Sequence, residues 1–276
     1  MPSPLAVAKA VAEAGGFVWE NRAGLAKAFG VFRRWFRRDS HILIIGPGGT
    51  GKTTLSRILS GDFDWLADAP WKYDESFAVD RIRIQKRNVE AIIAPGQKQR
   101  RGTTWAKLRA DLSAGRFRGV ILVSAFGYHS ITGNVPLATI KPGKKREAAL
   151  EEFLGECRAD EFAVLRELCE AMKPSPKKLW LLSLVTKQDL WAREEAAVQA
   201  HYLSGEYAAV VGQLAADRGS QLFHSELAFA SLVISNWVAG RNERLVKNTE
   251  GYDHQDQVTS VRRVIDILDG LRQWEK

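Results

Sequence analysis

Residues 41–54 read His-Ile-Leu-Ile-Ile-Gly-Pro-Gly-Gly-Thr-Gly-Lys-Thr-Thr, and this stretch decides the fold. The apolar run at 42–45 predicts a buried strand, and the apolar residues at 55–59 predict a helix. Between them, the segment from Gly46 to Thr53 matches G-x-x-x-x-G-K-[ST], the Walker A phosphate loop. An ordinary glycine-rich turn requires neither the Lys-Thr pair nor an apolar strand before it, so the context favours the phosphate loop.

The glycines of this loop allow successive backbone N–H groups to point inward, and the following helix adds the partial positive charge of its N-terminus. Such a loop favours a bound phosphate group. Lys52 is predicted to contact the β- and γ-phosphates of a nucleotide, and the Thr53 hydroxyl is predicted to ligate magnesium. The residues predicted to surround the nucleotide are Gly46, Pro47, Gly48, Gly49, Thr50, Gly51, Lys52, Thr53 and Thr54.

The composition is that of a soluble globular protein, with 45% hydrophobic and 26% charged residues in a chain of 276. No apolar run approaches the roughly 18 residues of a membrane span, and no signal peptide is apparent. We therefore expect a cytoplasmic protein with one large domain and additions. The two cysteines, Cys157 and Cys169, offer no metal-ligand spacing and are interpreted as buried thiols.

The net charge of +8 is unevenly distributed along the chain. Residues 81–118 contain eleven Lys and Arg against only Glu90 and Asp111. Such a patch attracts nucleotide phosphates, nucleic acid or anionic lipid, and charge alone does not choose among them. Nucleic-acid binding is disfavoured because only Trp105 and Phe117 are interleaved with these charges.

Residues 17–38 have the pattern of a basic amphipathic helix. Phe29, Phe32 and Phe36 share one face, and arginines such as Arg34 fall on the other. Two interpretations remain open: the aromatic face packs on the body of the protein, which we favour, or it contacts an anionic membrane surface.

Downstream of residue 60 the patterns alternate between strands and helices, which predicts an α/β fold with a mostly parallel sheet covered by helices on both faces. The segments 77–85 and 89–93 are predicted to form a hairpin. The other predicted strands are 120–123, 179–185, 221–227 and 232–238. The predicted helices are 103–114, 148–172 with an irregularity near Ala159, 192–216 and 255–274. Residues 61–76 and 127–145 are predicted to be loops.

The order of three motifs resembles that of the Ras-like small GTPase family, nearest to its Arf-like and prokaryotic members. The phosphate loop is the first motif. Pro95-Gly96-Gln97 is similar to the end of the family's D-x-x-G-Q segment, and Thr186-Lys187-Gln188-Asp189 matches its [NT]-K-x-D guanine motif. The resemblance covers residues 41 to about 275. It implies a P-loop NTPase fold, with an N-terminal helical extension at 1–40 and a GTPase domain at 41–276 that has insertions near 127–173 and 228–250.

The guanine motif follows a buried strand, and Asp189 is interpreted as the residue that reads the base. A carboxylate accepts hydrogen bonds from guanine N1 and N2, whereas adenine has an acceptor at N1 and no amino group at C2. The resemblance implies that Lys187 lies along the base and braces the phosphate loop, and that Thr186 fixes the shape of that loop. It also implies that Gly96 contacts the nucleotide.

The resemblance further implies that Gln97 orients the attacking water while Lys52 neutralises charge, which makes these two residues the predicted catalytic pair. The sequence also departs from the family. At the position of the family's magnesium-linked aspartate this sequence has Ile93, whose side chain has no ligand atom. The family also has a threonine in its switch segment, and Ser76 carries the hydroxyl nearest to that position in this sequence. Ser76 is therefore the second predicted magnesium ligand after Thr53.

The final guanine-contacting loop has two candidates, Ser225 and Asn248-Thr249. The leading functional hypothesis is a magnesium-dependent GTP-binding switch that hydrolyses GTP slowly, with GTP or GDP and Mg²⁺ as cofactors and a protein effector or activator as partner. Ile93 favours a second hypothesis, a guanine-nucleotide-binding module that does not hydrolyse. A P-loop ATPase or kinase is a third, and Asp189 argues against it.

Overall fold

The computed structural model describes residues 41–60, 80–83, 90–94, 98–130, 146–239 and 243–275. In this part of the chain, six strands form one sheet in the order β2-β3-β1-β4-β5-β6. All neighbouring strands are parallel except β2, which runs antiparallel to β3. The strands are β1 (His41–Ile45), β2 (Asp80–Arg83), β3 (Glu90–Ile93), β4 (Gly119–Ser124), β5 (Leu179–Val185) and β6 (Phe223–Phe229).

A separate antiparallel pair, β7 (Trp237–Ala239) and β8 (Glu243–Val246), follows the large sheet. The α-helices are α1 (Lys52–Ser60), α2 (Lys98–Ser113), α3 (Arg146–Met172), α4 (Gln188–Trp191), α5 (Glu195–Gln199), α6 (Glu206–Arg218) and α7 (His254–Glu275). A 3₁₀ turn at Ala192–Glu194 joins α4 to α5, and a π-helical turn at Ala200–Ser204 follows α5.

Two apolar layers cover the sheet because successive residues of a strand face opposite sides. Leu43 and Ile45 of β1 pack with α2, α3 and α6, whereas Ile42 and Ile44 pack with α1 and α7. All seven residues of β5 are buried, as expected of a central parallel strand. The predicted α/β fold of the P-loop NTPase type is confirmed by this sheet order together with the β1–loop–α1 unit.

The predicted pairing of the two segments before residue 94 is confirmed, because Asp80 lies opposite Ile93 in the antiparallel β2–β3 register. The predicted irregularity near Ala159 is wrong, since α3 is continuous from Arg146 to Met172. The single helix predicted at 192–216 is also wrong. From residue 192 to 204 the chain passes from a 3₁₀ turn to an α-helix and then to a π-helical turn. It then turns at Gly205, which has an extended backbone and directly precedes α6.

The strand predicted at 232–238 is reduced to Trp237–Ala239. The preceding residues are irregular because Ser231 and Ser235 hydrogen-bond to Asp189 instead of to a neighbouring strand. Of the two predicted buried thiols, Cys169 is buried and Cys157 is only half-buried.

Several predicted features lie outside the described residues: the helix at 17–38, the loop at 61–76 with Ser76, the segment Pro95-Gly96-Gln97, and most of the loop at 127–145. Among the helices that are described, none is both long enough and apolar enough to cross a membrane.

Candidate functional site

The turn between β1 and α1 has positive φ at three glycines, the third being Gly51, and at two of them a side chain would also clash with the backbone. Gly46 has φ +153°, and a Cβ atom there would lie 2.1 Å from the carbonyl oxygen of Val123. Gly49 has φ +73°, and its Cβ would lie 2.4 Å from the backbone nitrogen of Ser130. Both distances are far below a van der Waals contact, so the turn is shaped against the β4 strand and the segment after it.

Lys52, the first residue of α1, points back across this turn. Its Nζ donates to the carbonyl oxygens of Gly46 at 2.9 Å and Pro47 at 2.7 Å. The Thr50 hydroxyl donates to the same Pro47 oxygen at 3.0 Å. The side chain of Lys52 is buried, with 7% of its surface exposed, so its charge is fixed at the centre of the loop. Thr53 follows it at the N-terminus of α1.

Thr186 connects the end of β5 to the phosphate loop. Its Oγ1 lies 2.7 Å from the carbonyl oxygen of Thr50 and 2.9 Å from that of Ser124. A hydroxyl has one hydrogen, so it is donated to one of these oxygens at a time. On the other side, the indole Nε1 of Trp191 donates to the carbonyl oxygen of Thr186 at 2.8 Å. The hydroxyl of Thr186 therefore joins β4, β5 and the phosphate loop at one point.

Lys187 has a left-handed backbone, with φ 60°. Its Nζ donates to the carbonyl oxygen of Tyr128 at 2.5 Å and to the Ser130 hydroxyl at 3.2 Å. Ser130 in turn donates to the carbonyl oxygen of Gly49 through its backbone nitrogen at 3.0 Å and its hydroxyl at 3.2 Å. Lys187 thus reaches the phosphate loop through Ser130. Burial lowers the pKa of Lys187 to about 8.

Asp189 lies beside Lys187 and is almost completely buried, with 1% of its surface exposed. One carboxylate oxygen accepts from the Ser231 hydroxyl at 2.6 Å, and the other accepts from the backbone N–H of Ser235 at 3.0 Å. Burial raises the pKa of Asp189, while these two hydrogen bonds, a third from its own backbone N–H and the charge of Lys187 act in the opposite direction.

Sequence reasoning missed the segment that reaches Asp189. Ser225, one candidate for the final guanine-contacting loop, lies within β6 opposite Leu181 and not in a loop, so that candidate is wrong. The other candidate is closer: the backbone N–H of Thr249 donates to the carbonyl oxygen of Asp189 at 2.5 Å. The signal that could have revealed Ser231 is its position directly after an apolar strand, on the same sheet edge as the phosphate loop.

Ile93 has 1% of its surface exposed and lies in the apolar layer formed with α1. No carboxylate occurs at that strand position. In the described ranges, no group of three or more His, Cys, Asp or Glu side chains is arranged to bind a metal. The predicted residues Gly96, Gln97 and Ser76 lie outside these ranges, so the structure brings together the phosphate-loop residues with Thr186, Lys187 and Asp189.

No family model matches the chain, and no curated protein matches it. Several solved structures match it at low sequence identity. The ADP-ribosylation factor-like GTP-binding protein, or small COPII coat GTPase SAR1, from Encephalitozoon cuniculi in complex with GDP is 16% identical, with a TM-score of 0.46; the match covers 98% of this chain and 92% of that one. The GDP-bound signal recognition particle receptor SRb from Chaetomium thermophilum is 14% identical, with a TM-score of 0.41, covering 72% of this chain and 91% of that one.

A dimerisation-deficient mutant of Toc33 from Arabidopsis thaliana is 10% identical, with a TM-score of 0.46, and the match covers 90% of each chain. These neighbours include a protein named as an Arf-like small GTPase, the kind of protein whose motif order the sequence resembles. At these identities and TM-scores the matches carry no conclusion about what this chain binds.

Proposed function

We propose that the chain is a guanine-nucleotide-binding protein that acts as a switch and hydrolyses GTP slowly. The observation that carries this proposal is the direct contact between two motifs 136 residues apart, the Thr186 hydroxyl and the phosphate-loop carbonyl of Thr50. That contact places Asp189 and the phosphate loop at the same edge of a parallel sheet, where α/β proteins bind their ligands.

The phosphate loop fits a nucleotide's phosphates. Side chains are excluded at Gly46 and Gly49, so backbone N–H groups can approach an anion closely. Lys52 would exchange its two carbonyl contacts for phosphate oxygens, because a charged acceptor binds an ammonium group more strongly than a neutral one does.

Magnesium, when bound, would neutralise charge on the phosphates. Thr53 is the described residue that would ligate it, while Ile93 supplies nothing from the end of β3. Magnesium commonly binds proteins through few side chains, with phosphate oxygens and water completing its shell. The described residues therefore fit a metal held mainly by the nucleotide and by Thr53.

Asp189 would select guanine by accepting from N1–H and N2–H. The hydrogen bonds from Ser231 and Ser235 fix the direction of its carboxylate, and Lys187 lies beside it. The switch would operate through residues 62–76 and 95–103, and Gln97 would orient the attacking water. Ile93 favours a second candidate, a module that binds guanine nucleotide and does not hydrolyse it.

Calorimetry with GDP, GTP, ADP and ATP in magnesium-containing buffer tests the proposal. We expect measurable binding of the guanine nucleotides alone. Lys52→Ala should abolish it, because the phosphates lose their fixed counter-charge. The matched control is Lys173→Ala, which removes a lysine that pairs with Glu170 and Asp217 at the far end of α3. Equal affinity for ADP and GDP would contradict the guanine assignment.

Asp189→Asn should weaken the binding of GDP and strengthen the binding of xanthosine diphosphate, whose base has a carbonyl acceptor at C2 in place of guanine's amino donor. The amide also faces the donors of Ser231 or Ser235, so the variant should lose about 1–3 kcal/mol of stability. Affinities must therefore be compared well below its melting temperature. An Asp189→Asn protein that keeps the wild-type preference for GDP would exclude Asp189 as the base reader.

A further inference from the structure

Glu161, in the middle of α3, is a fully buried carboxylate, with 0% of its surface exposed. Its Oε1 accepts from the backbone nitrogens of Ala125 at 2.8 Å and Gly127 at 3.1 Å, and lies 2.8 Å from Nε2 of His129. Its Oε2 accepts from the Tyr202 hydroxyl at 2.7 Å. A buried carboxylate is costly unless its lone pairs are satisfied, and here four donors converge on it.

The charge state of Glu161 follows from these contacts. Burial alone would raise its pKa, but the hydrogen bond and charge of His129, together with the Tyr202 and Ala125 donors, hold the pKa below its ordinary value. An ionised carboxylate only accepts hydrogen bonds, so the His129 nitrogen that faces it carries a hydrogen.

The segment that Glu161 contacts, residues 125–130, has an unusual backbone. Phe126 has φ 50° and Gly127 has φ 86°, two consecutive residues in the left-handed region. For Phe126 this conformation is unfavourable relative to a right-handed one, because its Cβ approaches the following carbonyl oxygen. A Cβ atom at Gly127 would lie 2.5 Å from the carbonyl oxygen of Leu154 on α3. The segment therefore lies against α3 in a shape that needs external hydrogen bonds to persist.

The same segment contacts both nucleotide motifs. Its Ser130 donates to Gly49 of the phosphate loop, and its Tyr128 carbonyl and Ser130 hydroxyl accept from Lys187. Between them, the carbonyl oxygen of His129 accepts from the indole Nε1 of Trp237 at 2.9 Å. Residues 125–130 are thus a layer between Glu161 on one side and the two motifs on the other.

We propose that Glu161 is a positioning residue for the bound nucleotide, because its Oε1 fixes the segment 125–130 that orients both Gly49 and the Lys187 ammonium group. This inference rests on the proposed guanine-nucleotide function. Glu161 touches neither motif itself. Its effect passes through the backbone nitrogens of Ala125 and Gly127 and through the His129 ring.

A control variant outside the segment separates this role from simple stabilisation of the fold. Oε1 of Glu161 contacts the segment directly, and Tyr202, whose hydroxyl donates to Oε2, also accepts a hydrogen bond from the backbone N–H of Phe126 in the segment. Glu161→Gln puts an amide among N–H donors and disturbs the segment. Arg218→Lys is the control, because Arg218 binds the carbonyl oxygens of Met172, Ser175 and Lys177 at the opposite end of the sheet.

The experiment measures the affinity and dissociation rate of GDP, in magnesium buffer, for both variants at a temperature well below their melting points. We expect Glu161→Gln to weaken GDP about tenfold, the loss of one well-placed hydrogen bond, mainly through faster dissociation. Arg218→Lys should stay within about threefold although it also lowers the melting temperature, because the hydrogen bonds that it disturbs lie away from the segment.

A second pair of variants applies if Glu161→Gln does not fold. His129→Phe keeps a ring but removes the donor to Oε1, and His129→Gln can restore a donor near the same point. We expect the phenylalanine variant to weaken GDP and the glutamine variant to recover most of the affinity. Wild-type affinity in Glu161→Gln and His129→Phe, or an equal loss in Arg218→Lys, would overturn the positioning role.

Hydrogen exchange of the nucleotide-free proteins separates this inference from the proposed function. Glu161→Gln should speed exchange in peptides covering 43–54 and 124–131, and Arg218→Lys should not. If wild-type protein binds no GDP while this difference is observed, the guanine assignment fails and the coupling of Glu161 to the phosphate loop stands. Unchanged exchange in both peptides would refute the coupling whatever the wild type binds.

Discussion

The Thr186→Val substitution tests how far the nucleotide site depends on one buried hydroxyl. Thr186 has 1% of its surface exposed, and its Oγ1 lies within hydrogen-bond distance of carbonyl oxygens of Thr50 and Ser124. Valine has the same branched shape, so the change removes the hydrogen bond without opening a cavity. The Thr50 carbonyl then loses its hydroxyl donor and β5 loses its side-chain bond to the phosphate loop, whereas the Ser124 carbonyl keeps the backbone N–H of Thr186 at 2.9 Å.

The expected cost follows from that loss. Leaving a buried acceptor unsatisfied costs about 1–3 kcal/mol. For a domain of this size about 2 kcal/mol lowers the melting temperature by roughly 4–8 °C. Nucleotide must also order a looser loop when it binds, so we expect GDP affinity to fall about tenfold, equivalent to about 1.4 kcal/mol.

Thermal unfolding with and without GDP measures both effects, because a ligand that binds only the folded state raises the melting temperature according to its affinity. Thr186→Ser is the matched control, since it keeps the hydroxyl and removes a methyl group. It should retain GDP affinity within about threefold, because its hydroxyl preserves the hydrogen bond. A valine variant as stable as the serine variant and equal to it in GDP affinity would refute the bridging role of this hydroxyl.

Two further predictions concern the protonation of Lys187 and the buried apolar position of Ile93. Because the pKa of Lys187 is about 8 in the folded protein, below its ordinary 10.5, the unfolded chain binds more protons between these values, and stability should rise with pH across that window. The negative charge of a bound nucleotide should raise the pKa of Lys187, so GDP binding at pH 8 should take up about half a proton. Calorimetry in buffers of different ionisation enthalpy measures this uptake. The Lys187→Met protein should take up no proton when it binds GDP. Ile93→Asp should lower the melting temperature sharply rather than restore a metal ligand, because the carboxylate would enter the apolar layer beneath α1, whereas Ile93→Val should cost only about 0.5–1.5 kcal/mol. An Ile93→Asp protein as stable as Ile93→Val would show that this side chain reaches solvent or metal.

The fold was predictable because its strongest signals are local. The strands β1, β4 and β5 are continuous apolar runs, which is the pattern of strands buried on both faces. The phosphate loop follows from short-range glycine chemistry, and the guanine motif from its place after β5. Alternation of strands and helices then restricts the connections to those of a parallel sheet.

The base side of the site was not predictable in the same way. Leu232, Val233 and Ile234 have the composition of a strand, yet this segment is irregular because Ser231 and Ser235 bind the distant Asp189. Tertiary hydrogen bonds to a buried carboxylate outweighed a β propensity that spans only about 1 kcal/mol.

Glu161 escaped prediction for a related reason. On α3 it occurs among many charged residues, where a glutamate is usually solvated, and its partners lie 32 to 41 residues away along the chain. Nothing local distinguishes it from Glu156 or Glu167. Only the three-dimensional placement of 125–130 against the helix reveals that its carboxylate is buried and fully bonded.

The end of β3 bears on how the proposed switch would work. Ile93 pairs with Ile44 in register and faces α1, Ile92 faces the opposite layer, and Ala94 is completely buried. None of these three residues has a side chain that can ligate a metal or a water bound to it. Phosphate binding by Lys52 and the loop backbone does not require such a carboxylate, whereas positioning of a metal for hydrolysis benefits from one. The lack of a metal ligand among these three described residues therefore supports the proposed slow hydrolysis, or the alternative of a nucleotide-holding module, over a fast GTPase.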